Sequence, residues 1–288
     1  MNSKPTIAFF GTPELCVPIL NKLTEAGFAP TVIVTNPDRP VGRKHTMTPP
    51  PVKVWGQEKN IPILQPEKLN DDFKAEFESH SVDLSIVVAY GKIMPEWLIV
   101  LPKHRTLNIH YSLLPKYRGA SPVESTLLNG ETETGACIQQ MVYAMDAGPL
   151  LACETIAIEP DEVAGELRNR LNVIGAQMLV DLIPEYTAGN IVAKEQVGEP
   201  TYCYKTDKSH AEINIETMSD VELWNRYRAY FGWPSIFFFD TPPFSSPYKG
   251  EVPAGRRGIR VKITKARFEG GKFIIEKVIQ EGKKEINF

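Results

Sequence analysis

Thr6-Ile7-Ala8-Phe9-Phe10, then Gly11-Thr12-Pro13, then Glu14 to Ala26, is the stretch that sets the fold class. The first five residues form a short apolar run, a Gly and a Pro punctuate its end, and apolar residues then recur at helical spacing. That is strand, tight turn and helix in direct succession. The unit repeats downstream. Thr31–Thr35 is a β-branched strand, Val52–Lys59 a helix and Ile61–Leu64 a short strand. Asp71–Ser79 reads as a helix, Leu84–Ala89 and Thr106–Ile109 as buried strands, and Pro122–Leu128 as a helix with Pro in its first turn. Ile138–Val142 and Leu150–Ile158 read as strands around a turn at Asp146-Ala147-Gly148, followed by a long amphipathic helix, Glu162–Leu182. Short buried strands alternating with helices predict an α/β fold with a mostly parallel sheet and helices on both faces.

Beyond Gly189 the grammar changes. Residues 190–207 lack periodicity and read as a linker between a domain over 1–189 and a smaller module over 208–288. Ser219–Tyr230 is a helix with Ser219 as its N-cap. Ile236–Phe239, Gly258–Lys265 and Lys272–Ile279 then alternate as strands, with a Pro/Gly-rich excursion, Thr241–Gly258, between the first two.

The bulk numbers exclude several classes. With 288 residues, 42% hydrophobic and 23% charged, the chain has a globular composition and no apolar run long enough to span a bilayer. Met1-Asn2-Ser3-Lys4 has no signal-peptide anatomy, so a cytoplasmic location is the expectation. Cys16, Cys137, Cys153 and Cys203 are scattered, with no CxxC pair and no His at ligand spacing. Buried reduced thiols and no metal are expected. The net charge of −3 hides an asymmetry: residues 251–288 carry ten Lys/Arg against five Asp/Glu, leaving about −8 on the rest. A basic module on an acidic body fits an anionic partner, and solvated surface charge fits equally well.

Chemistry concentrates in Asn108-Ile109-His110-Tyr111-Ser112-Leu113-Leu114-Pro115. Residues two apart in a strand share a face, so Asn108 and His110 can converge on one substrate atom at a strand end. A lone His at a strand end is more often a satisfied structural donor. Here it has company, with Asn108 on its face and Asp146 in a Gly-containing turn. An Asp beside a His orients the imidazole, and the absence of a Gly-x-Ser-x-Gly elbow around Ser112 points to transfer without a covalent intermediate. Gly11-Thr12-Pro13 is not a GxGxxG fingerprint, and a plain tight turn is its simpler reading. Asn36 to Lys53 is a long Pro-stiffened loop carrying Arg39, Arg43 and Lys44, which suit phosphate contact or simple solvation.

Taken together, these residues resemble the methionyl-tRNA formyltransferase family. The resemblance spans nearly the whole chain: Phe10–Pro13, Pro37–Arg43, Pro51-Val52-Lys53, Val88–Gly91, Asn108–Pro115 with Arg118-Gly119-Ala120, Met145–Gly148 and Trp233-Pro234. It implies a Rossmann-like N-terminal domain and an OB-like C-terminal barrel. The implied activity is formyl transfer from 10-formyltetrahydrofolate to the methionine amine of initiator methionyl-tRNA, by a monomer without metal. By motif position, Asn108, His110 and Asp146 would be catalytic. Ala89, Tyr90 and Gly91 with Ser112, Leu113, Leu114 and Pro115 would line the folate site, and Arg39, Arg43 and Lys44 would meet the tRNA. Two departures stand out. Asp146 is followed by Ala147-Gly148-Pro149 where the family usually has Thr-Gly-Asp, and the C-terminal module is short. A sugar-nucleotide amine N-formyltransferase would keep Asn108, His110 and Asp146 without using the cationic loop. A formate-releasing hydrolase would need neither basic region, and a non-catalytic RNA-binding protein on the same scaffold would bind folate without turnover.

Overall fold

A computed structural model describes residues 4–42, 44–240 and 258–288. The chain begins β1 (Ile7–Gly11), α1 (Cys16–Glu25), β2 (Val32–Val34), β3 (Arg39–Val41), β4 (Thr46–Thr48), α2 (Pro51–Glu58), β5 (Ile63–Leu64), α3 (Asp71–Glu78) and β6 (Leu84–Val88). It continues α4 (Glu96–Val100), β7 (Thr106–His110), β8 (Arg118–Gly119), α5 (Pro122–Leu128), β9 (Glu133–Gln140), β10 (Leu150–Ala157), α6 (Ala164–Thr187) and β11 (Tyr202–Cys203). Past a 3-10 turn at Ser209–Ala211 come α7 (Asp220–Tyr230), β12 (Phe237–Asp240), β13 (Ile259–Glu269), β14 (Lys272–Gln280) and β15 (Glu285–Asn287). Packing divides the chain into two compact units. One holds Met1–Gly119, Thr134–Ile156 and Asn169–Tyr202, and the other Ala120–Glu133, Ala157–Arg168 and Cys203–Phe288.

In the first unit seven strands form one sheet in the order β10-β9-β7-β6-β1-β2-β5. β7, β6, β1, β2 and β5 run parallel, and β9 runs antiparallel to β7. Every residue of β1, β2 and β6 is buried, as a sheet covered on both faces requires. Phe10 packs edge-on to Tyr90 at 5.4 Å and against Phe77 of α3 at 5.5 Å, within a core that also takes in Phe73, Met94 and Leu98. Each such aromatic contributes about 1.5–3 kcal/mol by burial. Phe73 and Phe77 reach it because α3 starts cleanly: Asn70 caps the Phe73 amide, and Asp71 and Asp72 sit at the positive end of the helix. On α2, a Cβ at Gly56 would collide with the side chains of Ile63 and Ile33, so glycine lets the helix settle on β2 and β5.

Three sequence expectations change here. The segment after Asn36 is not simply a loop: β3 and β4 form a two-stranded ribbon pairing Arg39 with Thr48 and Val41 with Thr46. Gly42 at φ +72° and His45 at φ +49° turn it. The expectation of four reduced thiols is corrected as well. Cys137 and Cys153 are disulfide-bonded, because their strands are sheet neighbours and bring the two Cα atoms to 4.1 Å. Cys16 and Cys203 are buried and lie outside the disulfide. Nor is the stretch after α6 a detached linker. Leu150 and Lys194 exchange backbone hydrogen bonds at 2.7 and 2.8 Å, tying residues 190–202 to the end of the sheet.

In the second unit β12, β13, β14 and β15 form an antiparallel sheet in that order. Gly270 and Gly271, both at positive φ, make the two-residue hairpin turn between β13 and β14. The expected Ser219 cap is present as a full capping box with Glu222. Trp224 stacks on Tyr227 at 5.4 Å and on Phe268 at 5.9 Å, seating α7 on the sheet. β15 went unread because its three residues are too short to show a period. The Thr241–Gly258 excursion falls largely outside the described residues.

Candidate active site

The C-terminal ends of β6 and β7, with the turn between β9 and β10, bring the three candidate catalytic residues together. Within β7, Ile109 points at α6, where a Cβ on Gly175 would lie 2.8 Å from its Cγ2. Asn108 and His110 therefore face the opposite side. His110 is almost fully buried. Its Nε2 bonds the Tyr117 carbonyl at 2.8 Å, and since a carbonyl only accepts, Nε2 is the donor. Its Nδ1 lies 3.7 Å from Asp146 Oδ2, in ion-pair range but beyond a hydrogen bond.

Asp146 stands at φ +50°, a conformation side chains rarely adopt without support. Support comes from four directions. The Gly119 amide donates to Oδ2 at 2.8 Å and Gln139 Nε2 to Oδ1 at 2.8 Å. Gln196 Nε2 donates to the Asp146 and Gly148 carbonyls. Gly148 lies flush on β9, so that a Cβ there would collide with the Gln140 carbonyl. Asn108 is held as firmly. Its Nδ2 donates to the Val87 carbonyl at 3.0 Å, and its Oδ1 accepts from Gln139 Nε2 at 3.1 Å. Among the described residues the second Nδ2 hydrogen has no protein acceptor.

Sequence reasoning missed Gln139 and Gln196. Gln139 is the register partner of Asn108 across β7 and β9, and nothing in a single sequence fixes that register. Gln196 lies in a segment without periodicity, and no local signal marks it.

The expected folate-lining residues divide. Ala89 (φ +45°) and Gly91 (φ +79°) are exposed at the end of β6, presenting backbone rather than side chain. Tyr90 does not face outward: its ring is buried against Phe10, and burial pushes its phenol up. Its carbonyl accepts from Asn36 Nδ2 at 2.9 Å and Thr12 Oγ1 at 3.3 Å, which occupies both of its lone pairs. Ser112 is buried with its hydroxyl donating to the Lys116 carbonyl at 2.6 Å. Leu114 is buried and joined to Pro115 by a cis peptide, whereas Leu113 is half-buried. Gly11-Thr12-Pro13 is the tight turn its simpler reading gave, with Gly11 pressed between Phe9, Cys16 and the Val88 carbonyl.

Of the cationic residues, Arg39 lies on the ribbon and Lys44 at its tip, both exposed, while Arg43 lies outside the described residues. The ribbon follows β2, three strands from β7, or about 14 Å across the sheet at the usual strand spacing. Because β2 and β7 are parallel through β1 and β6, the ribbon and the catalytic group share one end of the sheet. Its base is fixed by Asp38, which accepts from Lys53 at 2.8 Å and Gln65 at 2.8 Å. The Gln65 amide, with Lys53 second, holds the Asp38 carboxyl below the ordinary carboxylate range. In the C-terminal sheet much of the basic excess is already paired: Lys265 with Glu276, Arg267 with Glu269 and Glu276, Lys272 with Asp220, and Lys277 with Glu285. Among the described residues no group of three His, Cys, Asp or Glu can hold a metal ion, and no helix is long and apolar enough to cross a membrane.

This arrangement can be set beside known proteins. A formyl transferase family profile matches residues 5–183, more than half of the chain. The methionyl-tRNA formyltransferase of Halalkalibacterium halodurans is 40% identical over 233 residues, covering 80% of this chain and 73% of its own. That of Geobacter sulfurreducens is 37% identical over 97% of this chain and 90% of its own. Among solved structures, an N-formyltransferase from Helicobacter canadensis in complex with folinic acid and dTDP-3-aminofucose superposes with a TM-score of 0.62. It covers 94% of this chain and 98% of its own at 15% identity, a likeness of fold. A polar group at the strand ends of a mostly parallel sheet, the profile match and relatives aligned over most of their length agree: the chain is a formyl-transferring enzyme and belongs to the methionyl-tRNA formyltransferase family.

Proposed function

We propose that the chain transfers the formyl group of 10-formyltetrahydrofolate to the α-amine of methionine on initiator methionyl-tRNA, by direct attack through a tetrahedral intermediate. The observation that carries this reading is the hydrogen-bonded group Asn108–Gln139–Asp146 with His110 beside it, on a chain of this family. Negative charge develops on the formyl oxygen as the neutral amine attacks. The uncommitted Nδ2 hydrogen of Asn108 is the donor suited to that oxygen, and a preorganised donor of this kind is worth about 3–4 kcal/mol. Asp146 accepts the proton that the amine must lose, and the His110 imidazole beside it helps hand a proton to the departing folate nitrogen.

The exposed backbone at Ala89 and Gly91, either side of Tyr90, and the Ser112–Pro115 turn would hold the reduced pterin. The folinic acid bound by the Helicobacter protein supports a folate co-substrate on this fold. Arg39, Arg43 and Lys44 would take phosphates of the acceptor end. In this reading the seven-stranded sheet and the segment through Gln196 carry the chemistry, and 208–288 form a reduced OB-like module that adds backbone contacts. The enzyme works as a cytoplasmic monomer in translation initiation.

The deciding experiment incubates the protein with 10-formyltetrahydrofolate and either charged initiator tRNA or an amino-sugar nucleotide. Formylmethionine on the tRNA, with no formylated sugar, is the expected result. Formyl transfer to the sugar alone, or formate release without an acceptor, would overturn the reading.

A further inference from the structure

Gln139 has one side-chain nitrogen and two acceptors that matter. Its Nε2 donates to Asn108 Oδ1 at 3.1 Å and to Asp146 Oδ1 at 2.8 Å, and the residue itself is only 2% exposed. The two hydrogens of a primary amide point about 120° apart, so this nitrogen can satisfy both acceptors only while Asn108 and Asp146 keep their separation. Asn108 arrives from β7, and Asp146 from the turn after β9. Gln139 sits opposite Asn108 in the β7–β9 register, and is therefore the point at which strand and turn are tied to each other.

The bond has a second consequence. An asparagine amide can flip, exchanging its oxygen for its nitrogen, and Gln139 removes that freedom. By donating to Oδ1 it forces the Asn108 amide to keep Nδ2 on the other side, where one hydrogen meets the Val87 carbonyl and the other stays uncommitted. A flipped Asn108 would set its NH2 against the Gln139 NH2 and its oxygen against the Val87 carbonyl, two repulsive contacts in place of two hydrogen bonds.

We infer that Gln139 is a positioning residue for formyl transfer: it fixes the orientation of the Asn108 amide and its distance from Asp146, without touching substrate. The inference deepens the reading of the same site as a formyl transfer centre and rests on it for the kinetic consequence alone. The amide lock itself is a property of the free protein.

Two variants and two readouts test it. Gln139→Met keeps the length and removes both donors. Gln139→Glu keeps the shape and replaces a donor by an acceptor facing two acceptors. Turnover should fall about 10- to 100-fold in the Met variant, the scale expected when a reacting group loses its fixed geometry. KM for 10-formyltetrahydrofolate and for charged tRNA should stay within about twofold by the same argument, since neither ligand touches Gln139. The Glu variant should be worse than the Met variant, whereas a space-filling role would make the near-isosteric Glu the milder change. In the free protein, 15N relaxation of the Asn108 side-chain amide should report a rigid group in the parent and an averaged one in Gln139→Met. Circular dichroism confirms that each variant is folded before it is scored.

An unchanged Asn108 amide signal in folded Gln139→Met, or turnover within twofold of the parent, overturns the inference. Should the parent enzyme fail to formylate charged tRNA, the functional reading fails by itself. The relaxation arm then still decides whether Gln139 locks Asn108.

Discussion

Gln196 holds Asp146 by its main chain rather than by its carboxylate, donating Nε2 to the Asp146 carbonyl at 2.8 Å and equally to that of Gly148. Arg118 in turn steadies Gln196, with Nε and Nη2 both on its Oε1 at 3.1 and 2.7 Å. The left-handed backbone at Asp146 needs such support, because a non-glycine residue there costs roughly 1–3 kcal/mol. We expect Gln196→Leu to relax the turn and lower turnover about tenfold, by analogy with the loss of groups that orient a ligand at a centre. Folate affinity, measured by equilibrium titration, should change little. Parent-level turnover would mean that the turn keeps its shape unaided.

Asn108→Ala removes the one amide hydrogen free to meet a developing oxyanion, and should cost about 10²–10³ in kcat. Asp146→Asn keeps the size of the side chain but only one acceptor oxygen, so one of the Gly119 and Gln139 donors keeps its partner and the other loses it. It should fold normally and lose turnover to a similar degree. Steady-state kinetics beside thermal unfolding separates the two effects. Near-normal rates in either folded variant would remove that residue from the chemistry.

Much of this architecture was legible from the chain alone, and what escaped has physical causes. β1, β6 and α7 announce themselves through period and caps, since burial on both faces leaves continuous apolar runs and the Ser219–Glu222 pair is a local signal. The shared face of Asn108 and His110 follows from strand period alone. What a sequence does not carry is register: that Gln139 lies opposite Asn108, and that Cys137 and Cys153 fall within bonding distance, depend on how strands align across the sheet. Tyr90 shows the converse limit. Its motif context suggests a ligand contact, but its ring completes the Phe10 core and its carbonyl is taken by Asn36 and Thr12.

Asp83 ties the starts of β1 and β6 together at the end of the sheet opposite the catalytic group. Its Oδ2 accepts from the Thr6 amide at 2.9 Å and the Thr6 hydroxyl at 2.8 Å. The Thr6 amide first, then its hydroxyl, hold this carboxyl below the ordinary range. A carboxyl depressed in the folded state stabilises above its unfolded value, near about 3.9, and that contribution fades as pH falls through the folded value. Asp83→Asn should therefore lower the thermal midpoint most at pH 7. The gap to the parent should narrow as pH falls below about 3.9 and on through the lower folded value, past which the parent is neutral at this position too. A gap that stays constant from pH 7 to pH 2.5 would assign the effect to packing instead.

The ribbon offers the last test, and its own pairings set the terms. Arg39 meets Glu67 at 2.7 Å, but both side chains are more than 60% exposed, and an exposed pair of this kind is worth about 0–1 kcal/mol. Arg39 can exchange Glu67 for a phosphate at little cost, and Lys44 at the exposed tip is equally placed to do so. Lys53 differs, being half-buried and committed to Asp38 at the base of the ribbon. Each cation that neutralises a phosphate steepens the fall of affinity with salt, by about 0.9 in the logarithmic slope for a duplex. Reversing both charges in Arg39→Glu/Lys44→Glu should weaken charged tRNA and flatten that slope by nearly 2, or by about 1.4 if the contacted strand is single. Folate binding should be untouched. Lys53→Gln should act differently, loosening the ribbon base, with a smaller change in slope than the double reversal gives. An unaltered slope in the double variant would detach the ribbon from the nucleic acid, leaving it as solvated surface.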